Sequence, residues 1–247
     1  MILHGWAYKG RKISDLLHQQ FYDIVKYLTD PSFVAGRDWP VLQKEIAKEL
    51  GVEAGQIRTI KTCMEQFCIL KVGSLNNNKI PDMTIYTKDG LEFIDMLKLE
   101  YLTKHRAKTI DNEMLEKIHQ FYQFYYIKFL SQPTDIGRNS HLNILRATLK
   151  AIKKYESLDY WEWYLLNTFI TKQDDKEEEN RLQDAIIKYR NHELFFTKED
   201  IQDYQLSISY VLGNIEYTGL VLSEGAGLKH TVFLNKTRME VIEEIIK

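Results

Sequence analysis

One order of elements is written twice along this chain, and few folds accommodate it: helix, tight turn, helix, apolar run, polar tip, apolar run, short helix. The first copy spans about residues 41–98 and the second about residues 158–246. In the first copy Asp38 is placed to cap a helix, with Pro40 in its opening turn. Val41, Leu42, Ile46, Ala47 and Leu50 line one face of that helix. Gly51 closes it, because glycine adopts the left-handed conformation that a helix end requires. The next helix, from about Ala54 to Phe67, buries Ile57, Ile60, Met64 and Phe67 at helical spacing. Residues 69–72 and 83–87 read as strands around a tip, residues 74–82, that holds Asn76, Asn77, Asn78, Lys79 and Pro81. Such a tip cannot pack a core and is solvated or bound. Thr87 then caps a helix through Gly90, Phe93, Ile94 and Leu97. The expected fold class is mainly α with small β-wings: two winged-helix (helix-turn-helix) subdomains.

The elements around these copies follow the same logic. Residues 1–12, with Trp6, Tyr8, Lys9, Gly10, Arg11 and Lys12, read as a short basic and aromatic arm without helix. Ser14 caps a helix to Leu28, which Asp30-Pro31 ends. Lys104, His105, Arg106 and Lys108 form a basic connector. The expected organisation is a first subdomain at 1–105 with its arm, a linker at 106–111, and a second, helix-rich subdomain at 112–247. The second opens with an aromatic helix over 112–130, whose Tyr and Phe residues are core packing. Helices are expected over 140–155, 158–170, 176–191 and 198–212, the last capped by Thr197 and stopped by Gly213-Asn214. Strands at 216–222 and 231–234 flank a Gly225-Ala226-Gly227 tip, and Thr237 caps a final helix.

Bulk properties narrow the function classes. The net charge of −2 excludes a general polycation, but residues 1–110 hold 16 basic against 13 acidic side chains and the remainder 17 against 22. A reader of a defined site needs a local basic face, not a basic total. No apolar run is long enough for a membrane span, and the first residues lack the pattern of a signal peptide. Cys63 and Cys68, five apart, suit buried thiols in a reducing cytoplasm and make no zinc set.

The helix from Ala54 is the candidate recognition helix. Its outer face shows Gln56, Arg58, Thr59, Lys61 and Thr62. Arg58 and Lys61, three apart, can face one groove; Arg58 can grip guanine with two hydrogen bonds and Gln56 can pair with adenine. Asn76, Asn77 and Lys79 at the tip offer phosphate or minor-groove contacts. Lys9, Arg11 and Lys12 form an arm that can reach a groove. Arg138 and Asn139, with His141, open a helix where a phosphate would be held, or Asn139 simply caps it. Lys150, Lys153 and Lys154 read as a solvated face, and the acidic run 174–179 as a solvated turn and helix start. No catalytic or metal centre is expected. Pro81-Asp82 has no Asp/Glu-x-Lys after it, since Lys98 follows Asp95 by three, and a phosphate-cradling glycine loop, a nucleophile elbow and a His-Glu-x-x-His pair are all missing from the sequence.

Three further stretches carry a family likeness. Tyr217-Thr218-Gly219-Leu220 is followed by Val232-Phe233-Leu234-Asn235 and then Val241-Ile242-Glu243-Glu244-Ile245-Ile246. His141-Leu142-Asn143-Ile144-Leu145 runs to Leu149-Lys150 and Ser157-Leu158-Asp159, and Ile85-Tyr86-Thr87 stands before Gly90. In these the chain resembles the N-terminal DNA-recognition region of type IIS restriction endonucleases, the FokI and AlwI groups and related nicking endonucleases. The resemblance implies recognition of a short asymmetric site in double-stranded DNA by a monomer, with cleavage left to a C-terminal nuclease domain or a separate catalytic subunit. It implies no cofactor for this chain and Mg2+ only in such a nuclease domain. Two other readings stay open: a plasmid or phage replication initiator with paired winged helices, and a winged-helix scaffold for protein interactions.

Overall fold

A computed structural model describes residues 1–8, 10–34, 36–76, 85–106 and 109–247. The chain is mainly helical, with small sheets of two or three strands. It divides into two compact units, Lys9–Tyr125 and Met1–Tyr8 together with Tyr126–Lys247. The division falls after Tyr125, whereas the sequence suggested a linker at 106–111. No described helix is long and apolar enough to cross a membrane.

The unit Lys9–Tyr125 comprises α1 (Asp15–Leu28), α2 (Pro31–Val34), α3 (Trp39–Leu50), α4 (Ala54–Gln66), α5 (Lys88–His105) and the first part of α6 (Asn112–Leu130). Local chemistry sets the ends of these helices. The Ser14 side chain accepts from the Leu17 N–H, and Gly51 closes α3 at φ +64°. The Thr87 hydroxyl oxygen accepts from the Gly90 N–H. Leu17, Phe21, Ile24, Leu42, Ile46, Ile57, Met64, Phe93 and Leu97 form the core. The two strands expected at 69–72 and 83–87 reduce, among the described residues, to one antiparallel bridge between Leu70 and Tyr86. Lys71 N–H donates to Ile85 O at 2.9 Å and Thr87 N–H to Ile69 O at 3.2 Å, so the stem of a hairpin is present. Its tip, with Asn77, Asn78, Lys79 and Pro81-Asp82, lies outside the described residues. In α6 the expected aromatic core holds for Tyr122 and Tyr125, but Phe124 is exposed.

His18 is enclosed in this unit, with its ring 4.1 Å from that of Tyr122 and 5.8 Å from that of Phe93. Burial pushes its pKa down to about 3; Lys104 and His119 add to the fall and Asp15 opposes it. Between pH 6.5 and about 3 the unfolded chain therefore binds a proton that the folded chain does not. Stability is fully present above 6.5 and is lost as pH falls through that window, by up to about 1.4 kcal/mol per unit. In an NMR titration the His18 ring protons are expected to hold their neutral-imidazole shifts down to pH 5. A midpoint near 6.5 would contradict this burial.

The other unit contains β1 (Leu3–His4), β2 (Thr134–Asp135), β3 (His141–Leu142), α7 (Ile144–Tyr155), β4 (Ser157–Asp159), α8 (Tyr160–Phe169), α9 (Lys176–Arg190), β5 (Ile201–Asp203), α10 (Gly213–Tyr217), β6 (Val221–Glu224), β7 (Thr231–Leu234) and α11 (Met239–Ile246). β4, β7 and β6 form an antiparallel sheet in that order, with Leu158 opposite Val232 and Leu222 opposite Phe233. Leu145, Leu149, Ile152, Trp163, Leu165, Val211, Ile215 and Ile242 fill the core. Asp159 and Glu162 make a reciprocal capping box that starts α8, and Asp175 caps α9.

Several expectations are corrected in this unit. The helix expected at 198–212 is a short 3-10 turn, then β5, then a π-helical turn at Ile208–Leu212 that continues into α10. The reason is a distant partner, since β5 pairs in parallel with β1 and Leu3 faces Ile201. Gly213-Asn214 does not stop the helix: Gly213 has ordinary right-handed dihedrals and both residues are buried. The strand expected at 216–222 begins at Val221, after Gly219 ends α10 at φ +71°. The last helix opens after a turn held by the Asn235 side chain, which accepts from the Thr237 N–H, and not by Thr237 as a cap.

Candidate nucleic-acid interface

In the first unit a tight turn joins α3 to α4. Past Gly51, Val52 N–H returns to Ala47 O at 2.9 Å, and the Gln43 side-chain amide donates to Ala54 O at 2.6 Å. α4 turns Ile57, Ile60, Cys63 and Met64 inward. Gln56 and Arg58 stand on its exposed face, with no hydrogen bond or ion pair from either side chain among the described residues. Thr59 and Thr62 are half-buried and donate their hydroxyls to Gly55 O and Arg58 O one turn back, both at 3.0 Å. Their oxygens remain acceptors, but their protons are committed to the helix.

Lys61 does not share the situation of Arg58. Its ammonium lies 2.8 Å from Glu65, and both side chains are only 12% exposed. The same Glu65 oxygen accepts from Gly73 N–H at 2.9 Å. Lys61 thus supports the carboxylate that fixes the turn after α4, a structural task. On α3, Lys44 and Lys48 are exposed and one turn apart, without ion pairs among the described residues. Sequence reasoning passed over them, although their spacing opposite Leu42 and Ile46 places them on the outer face.

The other expected contacts divide. Arg11 donates to the Gln20 side chain at 3.0 Å, while Lys12 is exposed beside the buried Ile13. Lys9, Asn77 and Lys79 lie outside the described residues, and Asn76 is exposed. Residues 3–8 are not an arm. Leu3 and Trp6 are completely buried, Trp6 N–H meets the Asn167 side-chain oxygen at 2.6 Å, and the indole N–H donates to Ile170 O at 3.0 Å.

Arg138 and Asn139 do not open a helix. Gly137, Arg138 and Asn139 all have φ between +55° and +80°, the turn of the β2–β3 hairpin; three left-handed residues in a row cannot start a right-handed helix. The cap of α7 is Asn143, whose side chain accepts from Arg146 N–H. The Arg138 guanidinium donates to Asn167 O at 2.6 Å and Thr168 O at 3.2 Å, satisfying carbonyls at the end of α8. A phosphate there would have to displace those bonds.

One group of metal-ligand type exists among the described residues. Asp15, His18 and Glu100 each bring one ligand atom within 4.8 Å of the others. The Lys104 ammonium is 2.6 Å from Glu100 and 4.0 Å from Asp15, and the Tyr122 hydroxyl donates to Glu100 at 2.7 Å. A cation of the chain thus already pairs with Glu100 and faces Asp15. Histidine spacing gave no sign of this group because Glu100 comes from a separate helix. No family model matches the chain, and no curated protein matches it.

Proposed function

We propose that the chain is a sequence-specific double-stranded DNA recognition module, in which two winged-helix subdomains grip a short asymmetric site. This is the role of the recognition region in type IIS restriction endonucleases. The reading rests on the outer face of α4, where Gln56 and Arg58 stand exposed and unengaged on a helix that follows a Gly51 turn and buries its opposite face. Lys12, Lys44 and Lys48 add exposed cations in the same unit. Phosphate contacts would supply most of the affinity and Arg58 and Gln56 the discrimination.

The second unit supports a lesser part. Its helical stretch at 208–217 precedes the β6–β7 hairpin, and hairpin residues 222–229 are all exposed. That stretch has no Lys or Arg and is largely buried, so the hairpin, with Lys229, is the element suited to a duplex. Recognition of this kind needs no cofactor from this chain. Cleavage would belong to a fused nuclease domain or a separate Mg2+-dependent subunit, and different subdomains reading adjacent bases need no dimer.

Selection from a random duplex pool, followed by anisotropy titration of the selected site, tests the proposal. Arg58→Ala is expected to weaken binding by about 1–3 kcal/mol and to relax one base position. Equal binding of selected and random duplexes at moderate salt would remove the reading. Footprints on an array of repeats would point to an initiator. Absence of salt-dependent DNA binding would point to a protein scaffold, for which the exposed Leu222 and Leu228 of the hairpin are suitable contacts.

A further inference from the structure

The unit Met1–Tyr8/Tyr126–Lys247 holds a half-open cavity of about 230 Å³ among α7, α8, α9 and the end of α11. Its origin lies in α7. Ala147 and Ala151 stand one turn apart and line it together with Leu166, Ile170 and Leu182; two small side chains leave space where larger ones would fill the contact. Ala147, Ala151 and Ile170 keep 7%, 6% and 7% of their surface, so the apolar floor is open to a guest. Space left unfilled there forfeits the dispersion contacts that a close-packed interior makes.

The charges around the rim satisfy one another. Lys150 lies 2.5 Å from Asp174 and 3.2 Å from Glu179, and Arg146 lies 2.6 Å from the second Asp174 oxygen. Both carboxylates of the rim are thus taken. Lys153 lies 2.6 Å from Glu243 of α11, and the Lys154 ammonium stands over the Tyr155 ring, 5.4 Å from its centroid. The Tyr155 hydroxyl is buried in the protein and offers no surface to a guest. Lys172 is exposed at the edge. A charged guest would meet that one exposed lysine, or would have to break pairs already made while losing its own hydration. The lining is mostly apolar, because lysine stems cover apolar surface while their charged ends are held elsewhere.

An unfilled apolar floor inside a self-neutralised rim defines a complementary ligand. We propose that this cavity binds an uncharged apolar molecule seated on Ala147, Ala151 and Ile170. The volume sets the size: a cavity of about 150 Å³ lined by aliphatic and aromatic side chains takes benzene, so this one suits a substituted single ring. Burial of the guest's apolar surface supplies the affinity. The cost of stripping water from a charge supplies selectivity against ions of the same shape. This site is independent of the DNA reading, which rests on α4 in the other unit. Ile246 of α11 forms part of the wall, so a bound guest also adds contacts to that helix.

The test uses the full chain with ¹³C-labelled Ala, Ile and Leu methyl groups and toluene as the probe, with benzoate and benzylammonium alongside as ions of the same shape. Saturable toluene shifts are expected at the methyl groups of Ala147, Ala151, Ile170 and Ile246. Both ions should bind at least about tenfold more weakly, since each must lose its hydration. Ala151→Leu fills the space and should abolish toluene binding, and Ala147→Val should weaken it several-fold. Lys172→Ala should leave toluene affinity unchanged. A dispersed methyl spectrum shows that each variant folds, and Ala147→Val decides if Ala151→Leu does not fold. No saturable shift up to the solubility of toluene, shifts spread over methyl groups away from the cavity, either ion binding as tightly as toluene, unchanged toluene affinity in the folded alanine variants, or its loss in Lys172→Ala would each overturn the proposal.

Discussion

Trp6→Ala is expected to destabilise the unit that contains residues 126–247 by about 3–5 kcal/mol, the usual cost of emptying a fully buried tryptophan site. The indole has no exposed surface, packs edge-on against Trp163 at 5.4 Å between ring centroids, and donates to Ile170 O. Truncation leaves that carbonyl without its donor and opens a cavity beside Trp163. Urea unfolding followed by tryptophan fluorescence measures the effect. The result also separates two roles for the first residues. A nucleic-acid arm would lose affinity on Trp6→Ala with its unfolding midpoint intact, whereas a core residue loses the midpoint first.

Gly90→Ala is expected to cost about 3 kcal/mol, at the upper end for overpacking. An added Cβ would stand 2.0 Å from Ile69 O and 2.8 Å from Ile69 Cα. Those are backbone atoms, so no side-chain rotation relieves the clash. The first turn of α5 would have to withdraw from the segment that carries the Leu70–Tyr86 bridge. Thermal unfolding of the variant checks the cost, and the loss should extend to Thr87, whose hydroxyl donates to Cys68 O while accepting from Gly90 N–H. An unchanged melting temperature would mean that α5 is not seated on Ile69.

What could be read in the sequence was local. Ser14, Gly51, Thr87 and Asp175 end or start helices through bonds that reach no more than a few residues, and side-chain type suffices to see them. The β1–β5 pairing was not legible, because Leu3 and Ile201 are brought together by the tertiary fold and the 198–212 segment has helical spacing on its own. Two site residues were misplaced although signals existed. Lys61 and Glu65 are four apart on one helix, the spacing of an ion pair, and the groove-facing reading gave that pair no weight. Gly137 and Asn139, on either side of Arg138, are residues that tolerate left-handed backbone, a turn signal that the charge of Arg138 overshadows. The α7 cavity depends on which helices meet Ala147 and Ala151, and periodicity marks only that the face is buried.

The pairing of β1 with β5 and the Trp6–Asn167 bond also order events in time. During synthesis Leu3 and Trp6 emerge early, but their partners Asn167, Ile170 and Ile201 follow only after the whole of Lys9–Tyr125 has been made. In sequence one unit is thus an insertion within the other, and the outer one cannot close its core until residues through Ile201 are available. Such distant contacts form late because loop closure must precede their gain. Until then the short apolar segment around Leu3 and Trp6 stays unpaired, the stage at which a nascent chain of this design is most open to capture by chaperones or by its own copies.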